Sequence, residues 1–171
     1  MPTVREATFD LFRKLGMTTI FGNPGSTELP MLADYPDDFE YVLGLQEAAV
    51  VGMADGHAQV TGKPTLVNLH TAPGLGNAVG ALFNAQANHS PVVVTVGQQV
   101  RAQVTMQANL TNRDAIRVGD PFVKYSYEPV RAEDVPLAIA HAIHLASLPP
   151  MGPVVVSIPE EWPYSGWPGV S

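Results

Sequence analysis

Residues 65–97 read TLVNLHTAPGLGNAVGALFNAQANHSPVVVTVG. The stretch opens on a short apolar run, Thr65–Leu69, and closes on a β-branched run that starts at Pro91. Between them lies a small, apolar segment over residues 76–87 that reads as a helix. Neither strand alternates polar with apolar residues, so neither has a face suited to water. Such strands belong to a parallel sheet covered on both sides, with helices as the crossovers.

The flanking sequence repeats the pattern. "TVREATFDLFRKLG" reads as a helix, with Thr3 and Glu6 as a capping box and Gly16 as its end. Val4, Ala7, Leu11 and Leu15 would form its inner face, with Phe12 at the edge. Residues 18–21 and 41–45 read as strands. Residues 47–60 read as a helix so rich in small and apolar residues that most of its sides should be buried. Residues 133–148 form an amphipathic helix with Val135, Ile139, Ala142 and Ala146 inward, and "GPVVVSIP" from Gly152 is a last strand. Residues 98–128 read as irregular. The expectation is an α/β domain with a doubly wound, mostly parallel sheet and helices on both faces, over residues 1–160. "PEEWPYSGWPGVS" is rich in proline and glycine and reads as a linker beginning near residue 161, which implies a piece of a longer protein.

Composition narrows the function. Nine basic and 16 acidic residues give a formal net charge of −7, which disfavours nucleic acid as a partner. Cysteine is absent, so disulfides and thiolate metal sites are excluded. No signal-peptide pattern and no membrane-spanning run is present, so a cytoplasmic location is expected.

Sheets of this kind bind ligands beyond the carboxyl ends of their strands. The loops after Phe21, Leu45 and Leu69 are therefore the candidate sites. Asn23-Pro24-Gly25-Ser26 serves either as a tight turn capped by Ser26 or as a set of amides and a hydroxyl for a polar ligand. Glu47 either complements a helix dipole or is a carboxyl desolvated by Leu43, Leu45, Ala48, Ala49 and Val50, with its proton affinity raised. His70 is either a satisfied loop residue or a functional group at a strand end. His141 and His144 have metal-ligand spacing but lie off the apolar face, so a solvated surface is the expectation. "GLGNAVG", residues 74–80, resembles a dinucleotide-binding loop, yet it follows the third strand and no acidic residue closes the next one. Close helix packing accounts for Gly76, Ala78 and Gly80 as well.

The block "LQEAAVVGMADGHAQVTGKP", residues 45–64, is similar to the pyrimidine-binding signature of thiamine diphosphate enzymes. "FGNPGSTELP", "NLHTAPGLGNAVGAL", "VGQQ", "VKYSYEP" and "AIHLAS" extend the resemblance over nearly the whole chain, to the benzoylformate decarboxylase-like branch. A single His70, in place of a His-His pair, separates it from pyruvate decarboxylases. Pro73-Gly74 resembles acetolactate synthases, so a carboligase domain stays an alternative, as does a non-catalytic assembly module. His57 stands where tyrosine is usual.

The resemblance implies thiamine diphosphate and Mg²⁺ as cofactors and a 2-oxo acid as substrate. It assigns Glu47 to a ring nitrogen of the cofactor's aminopyrimidine, where it favours the imino form. Ser26 would bond the substrate carboxylate and His70 would relay protons. Asn23, Pro24, Gly25 and Asn77 join Glu47 as cofactor-binding residues. The diphosphate and metal anchors lie elsewhere in that family, in a domain with a Gly-Asp-Gly…Asn motif that these 171 residues lack, and no metal ligand is expected here. The resemblance also implies a homo-oligomer, in which this domain meets the diphosphate-binding domain of another subunit.

Overall fold

The computed structural model describes residues 2–108, 110–162 and 166. In chain order the elements are α1 (Val4–Lys14), β1 (Thr19–Asn23), α2 (Leu29–Leu32), β2 (Glu40–Leu43), α3 (Glu47–Thr61) and β3 (Thr65–Leu69). They continue with α4 (Thr71–Ala87), β4 (Val92–Gln98), α5 (Arg101–Met106), β5 (Tyr125–Tyr127), α6 (Val135–Ser147) and β6 (Val154–Pro159). The six strands form one parallel sheet in the order β2-β1-β3-β4-β6-β5.

Both faces of the sheet are covered, as the continuous apolar strands require. On one side Ile20, Leu66, Val93, Val154 and Val156 pack under α1 and α6. On the other, Phe21, Val67, Val94 and Val155 pack under α3 and α4. The strand period of two sends neighbouring residues such as Ile20 and Phe21 to opposite cores. The doubly wound expectation therefore holds, and so does the inner face of α6, where Val135, Ile139, Ala142 and Ala146 are buried.

Several expected details change. The capping box of α1 is present, with Thr3 accepting from the Glu6 amide and Glu6 accepting from the Thr3 amide. Its buried face, however, is Val4, Ala7, Thr8, Phe9 and Phe12, while Leu15 is exposed. The phenyl rings decide this: Phe9 meets Phe39 edge to face at 4.9 Å, which turns the face that carries Phe9 and Phe12 inward. α3 is not buried on most sides, for Gly52, Met53, Gly56 and Val60 face outward. Residues 98–128 hold α5 and the edge strand β5, too short to carry a periodic signal. Most of the expected linker from residue 161 lies outside the described residues.

β1 runs two residues past Phe21, because Gly22 and Asn23 continue the ladder beside Asn68 and Leu69. Gly22 is required there: a β-carbon would lie 1.8 Å from the Tyr41 hydroxyl, which donates to Asn68 Oδ1. β2 conversely stops at Leu43, and Leu45 is 90% exposed. α4 starts at Thr71 rather than at 76, so His70 is its N-cap.

One buried carboxylate ties α3 to the turn after α4. Asp55 is 7% exposed and accepts from Ser90 Oγ, Asn88 Nδ2 and Gln59 Nε2. Asp55→Ala orphans the buried Ser90 hydroxyl together with Asn88, and is expected to lower unfolding free energy by about 2–3 kcal/mol in urea denaturation. Gln59→Ala, on the exposed side, is expected to change it by less than about 0.5 kcal/mol.

Candidate active site

The carboxyl ends of β1 and β3 and the amino ends of α3 and α4 converge. Asn23 ends β1, Glu47 opens α3, and Asn77 lies in the second turn of α4. Asn23 Nδ2 donates to Glu47 Oε1 at 2.9 Å, and Asn77 Nδ2 donates to Glu47 Oε2 at 3.0 Å. One amide thus holds each carboxylate oxygen. Glu47 is 9% exposed, but not through the neighbours expected from sequence, since Leu43 and Leu45 are both exposed. α4 lies against it at Gly74, where a β-carbon would sit in ordinary contact, 3.5 Å from Glu47 Cγ.

A second polar group lies beside the first. His70 Nδ1 is 2.9 Å from Glu28 Oε2 and 3.1 Å from Thr27 Oγ1. The Gly25 amide donates to Glu28 Oε2 at 2.7 Å, and the Thr27 hydroxyl donates to Oε1 at 2.6 Å. Glu28 is 2% exposed. Burial, followed by the nearby Glu28 charge, pushes the Tyr41 phenol above its ordinary value. Gly25 is a matter of space: a β-carbon would fall 2.3 Å from His70 Nδ1. Gly97 on β4 likewise makes room for Glu28 Oε1, which a β-carbon would approach to 1.8 Å.

The expected site residues thus fall into two hydrogen-bonded sets. Glu47, Asn23 and Asn77 form one; Gly25 and His70 join Thr27 and Glu28 in the other. Pro24 is half-buried between them in sequence, and Ser26 is exposed at the start of the one-turn helix Ser26–Glu28. No hydrogen bond ties the Ser26 side chain to the others among the described residues. Thr27 and Glu28 were missed by the sequence reading, although both stand in "FGNPGSTELP". An acidic residue two places after Ser26 looks like a helix-start charge, and only the fold shows that it points inward.

Other candidates fall away. His57 bonds Thr65 at the amino end of β3, opposite the site. His141 and His144 are exposed on α6, and among the described residues no group of three or more His, Cys, Asp or Glu could hold a metal. The dinucleotide-loop reading of residues 74–80 fails because they lie inside α4, with no glycine loop ahead of it. Gly76 and Gly80 are not explained by close packing either; among the described residues nothing lies within 4 Å of a β-carbon at either position.

Residues 2–117 match the family described as "Thiamine pyrophosphate enzyme, N-terminal TPP binding domain", and the chain belongs to that family. Within it, the chain is 55% identical to benzoylformate decarboxylase of Pseudomonas aeruginosa over 163 residues, 95% of this chain and 31% of that one. The solved benzoylformate decarboxylase of Polynucleobacter necessarius superposes with a TM-score of 0.98 at 51% identity, covering 100% of this chain and 32% of its own. A thiamine diphosphate-dependent 4-hydroxybenzoylformate decarboxylase from Rhodococcus jostii RHA1 gives 0.96 at 56% identity, covering 98% and 32%. The chain therefore spans about a third of the length of these relatives.

The residues present fit one end of the cofactor. Glu47 offers a carboxyl at the border of the surface, and each of its oxygens keeps a second lone pair beyond the asparagine bond. That suits a ring nitrogen of an aminopyrimidine. For a diphosphate-bound cation the described residues provide no comparable anchor.

Gly25→Ala tests how the second set is held together. The backbone there, φ −127° and ψ −159°, is open to alanine, so folding should survive. The His70 ring is expected to be pushed away, opening its distance to Glu28 beyond about 3.5 Å in a crystal structure of the variant. An unmoved ring would contradict the geometry.

Proposed function

We propose that the chain is the cofactor-activating domain of a thiamine diphosphate-dependent 2-oxo acid decarboxylase that acts on benzoylformate or a close aromatic analogue. The observation that carries this is Glu47, buried at the strand ends with both oxygens fixed by Asn23 and Asn77. Thiamine diphosphate, when bound, supplies a carbon nucleophile and a sink for the electron pair released as carbon dioxide leaves. The protein's part is to bind, orient and move protons.

In this reading Glu47 shares a proton with the aminopyrimidine, and the two asparagines stop the carboxyl from turning away. Pro24 and Gly25 shape the turn between the two polar sets. Ser26, whose hydroxyl is exposed, meets the substrate carboxylate. That contact must stay modest, since the charge it binds departs with carbon dioxide. His70 exchanges protons with the reacting substrate. Mg²⁺ and the diphosphate are held by a further domain, in keeping with the chain's share of its relatives' length.

The outward flank of α3 and α4 supports association with such a domain. Gly52, Met53 and Gly56 on α3, with Gly76, Gly80 and Phe83 on α4, leave a small-residue and apolar surface uncovered. Exposed apolar surface of this kind marks interfaces, and we infer a homo-oligomer in which this face meets the diphosphate-binding domain of another subunit. A cytoplasmic location is part of the same proposal; among the described residues no helix is long and apolar enough to cross a membrane.

The test is a chimera joining this chain to the remaining two thirds of the Pseudomonas aeruginosa relative. With thiamine diphosphate and Mg²⁺ it is expected to release carbon dioxide from benzoylformate, whereas the 171-residue chain alone is not. Ser26→Ala in the chimera is expected to raise KM by about 10-fold to 100-fold, the loss of one hydrogen bond to a charged group, with a smaller change in kcat. A folded, cofactor-loaded chimera that makes acetolactate from pyruvate and leaves benzoylformate untouched would favour the carboligase reading.

A further inference from the structure

Glu28 has no part in the function outlined above, yet its position is too costly to be incidental. A carboxylate 2% exposed persists only where donors meet it. Two do outright, the Gly25 amide at Oε2 and the Thr27 hydroxyl at Oε1, and His70 Nδ1 lies 2.9 Å from Oε2. Gly97 leaves the space that admits the group against β4.

Counting hydrogens decides which nitrogen of His70 is protonated. The Thr27 hydroxyl has one hydrogen, and it is committed to Glu28 Oε1 at 2.6 Å. The Thr27 oxygen also lies 3.1 Å from His70 Nδ1 and presents a lone pair there. Both Glu28 oxygens accept, Oε1 from the Thr27 hydroxyl and Oε2 from the Gly25 amide, the pattern of a carboxylate, which has no hydrogen to give. Nδ1 therefore faces two acceptors and must carry the proton itself. That leaves Nε2, to which no protein group bonds among the described residues, as the basic nitrogen of the neutral ring.

We propose that Glu28 is a positioning residue for His70, holding it in the Nδ1–H tautomer so that Nε2 is the nitrogen that exchanges protons with the 2-oxo acid substrate. Thr27 and Gly25 fix the carboxylate that does this. When Nε2 takes up a proton the imidazolium lies opposite the Glu28 charge, and when Nε2 returns it the ring is restored, while the one proton that conversion of a 2-oxo carboxylate to an aldehyde and carbon dioxide consumes comes from solvent. The role of His70 in proton exchange rests on the function proposed above; the tautomer does not.

The test is ¹⁵N spectroscopy of the chain with labelled histidine rings, with the His70 signals identified by their loss in His70→Gln. In spectra where the ring holds one proton, Nδ1 is expected at the shift of a protonated nitrogen and Nε2 at that of an unprotonated one. Glu28→Met removes the acceptor and frees the Thr27 hydroxyl to donate to Nδ1, so the pattern should reverse. Glu28→Gln, its oxygen drawn to the Oε2 position by the Gly25 amide, puts an NH2 donor where Oε1 accepted, so the Thr27 hydroxyl is freed toward Nδ1 there too and both tautomers should be populated. A wild-type ring in the Nε2–H form, an unchanged Glu28→Met ring, or a Glu28→Gln ring indistinguishable from wild type each overturns the proposal. Should Glu28→Met not fold, the wild-type and Glu28→Gln spectra still decide. None of these spectra needs cofactor or turnover. A chimera that decarboxylates while its His70 is in the Nε2–H form therefore refutes the positioning role and leaves the activity standing.

Discussion

The two asparagine bonds to Glu47 are the constraint around which the domain is arranged. They join three elements far apart in sequence: the end of β1, the first residue of α3 and the second turn of α4. Each must end or begin at the right residue. β1 must run on to Asn23, which it does by pairing with β3 through Leu69. α4 must begin at Thr71, so that Asn77 falls on the turn facing Glu47. Thr71 adopts a positive φ of 46° to make that start, a conformation that costs a β-branched residue about 1–3 kcal/mol. The packing of α3 on α4 through Val50, Val51, Ala54, Ala78 and Leu82 then holds the clamp closed.

The second carboxylate uses the same strand ends for a different purpose. Glu47 lies close to the surface and keeps lone pairs for a ligand, whereas Glu28 is sealed beneath the Ser26 turn and spends its lone pairs on Gly25, Thr27 and His70. Two glycines make the difference possible, Gly25 by admitting the imidazole and Gly97 by admitting Glu28. A single short turn, residues 25–28, thereby carries both an exposed hydroxyl and the buried support of its neighbouring histidine.

Much of this was legible in the sequence because the signals were chemical. Unbroken apolar strands over residues 65–69 and 92–96 give a two-sided parallel sheet, and the strand-end rule then points to Asn23, Glu47 and His70. The similarity of residues 45–64 to the thiamine diphosphate signature pointed to the family, which the match over residues 2–117 shows, and to the role proposed for Glu47. What escaped depended on three-dimensional contact. Leu43 and Leu45 read as cover for Glu47, yet both are exposed, and α4 lies against it at Gly74 instead. α1 turned toward Phe9 because Phe39, thirty residues on, offers it a ring edge. Glu28 was invisible as a site residue because a helix-start glutamate has the same sequence appearance whether it points to water or to His70.

The central claim is that the carboxyl group of Glu47 activates the cofactor. Its most direct measure is hydrogen–deuterium exchange at the reactive thiazolium carbon of thiamine diphosphate bound to the chimera, followed by quenched-flow NMR. Glu47→Gln is nearly isosteric; its oxygen still accepts from one asparagine, and the other can meet its amide nitrogen by turning Oδ1 inward, so cofactor should still bind. Exchange is expected to slow by about 10²–10⁴-fold, the range for loss of a positioned acid–base group. Exchange at the wild-type rate in folded, cofactor-loaded Glu47→Gln would contradict that claim.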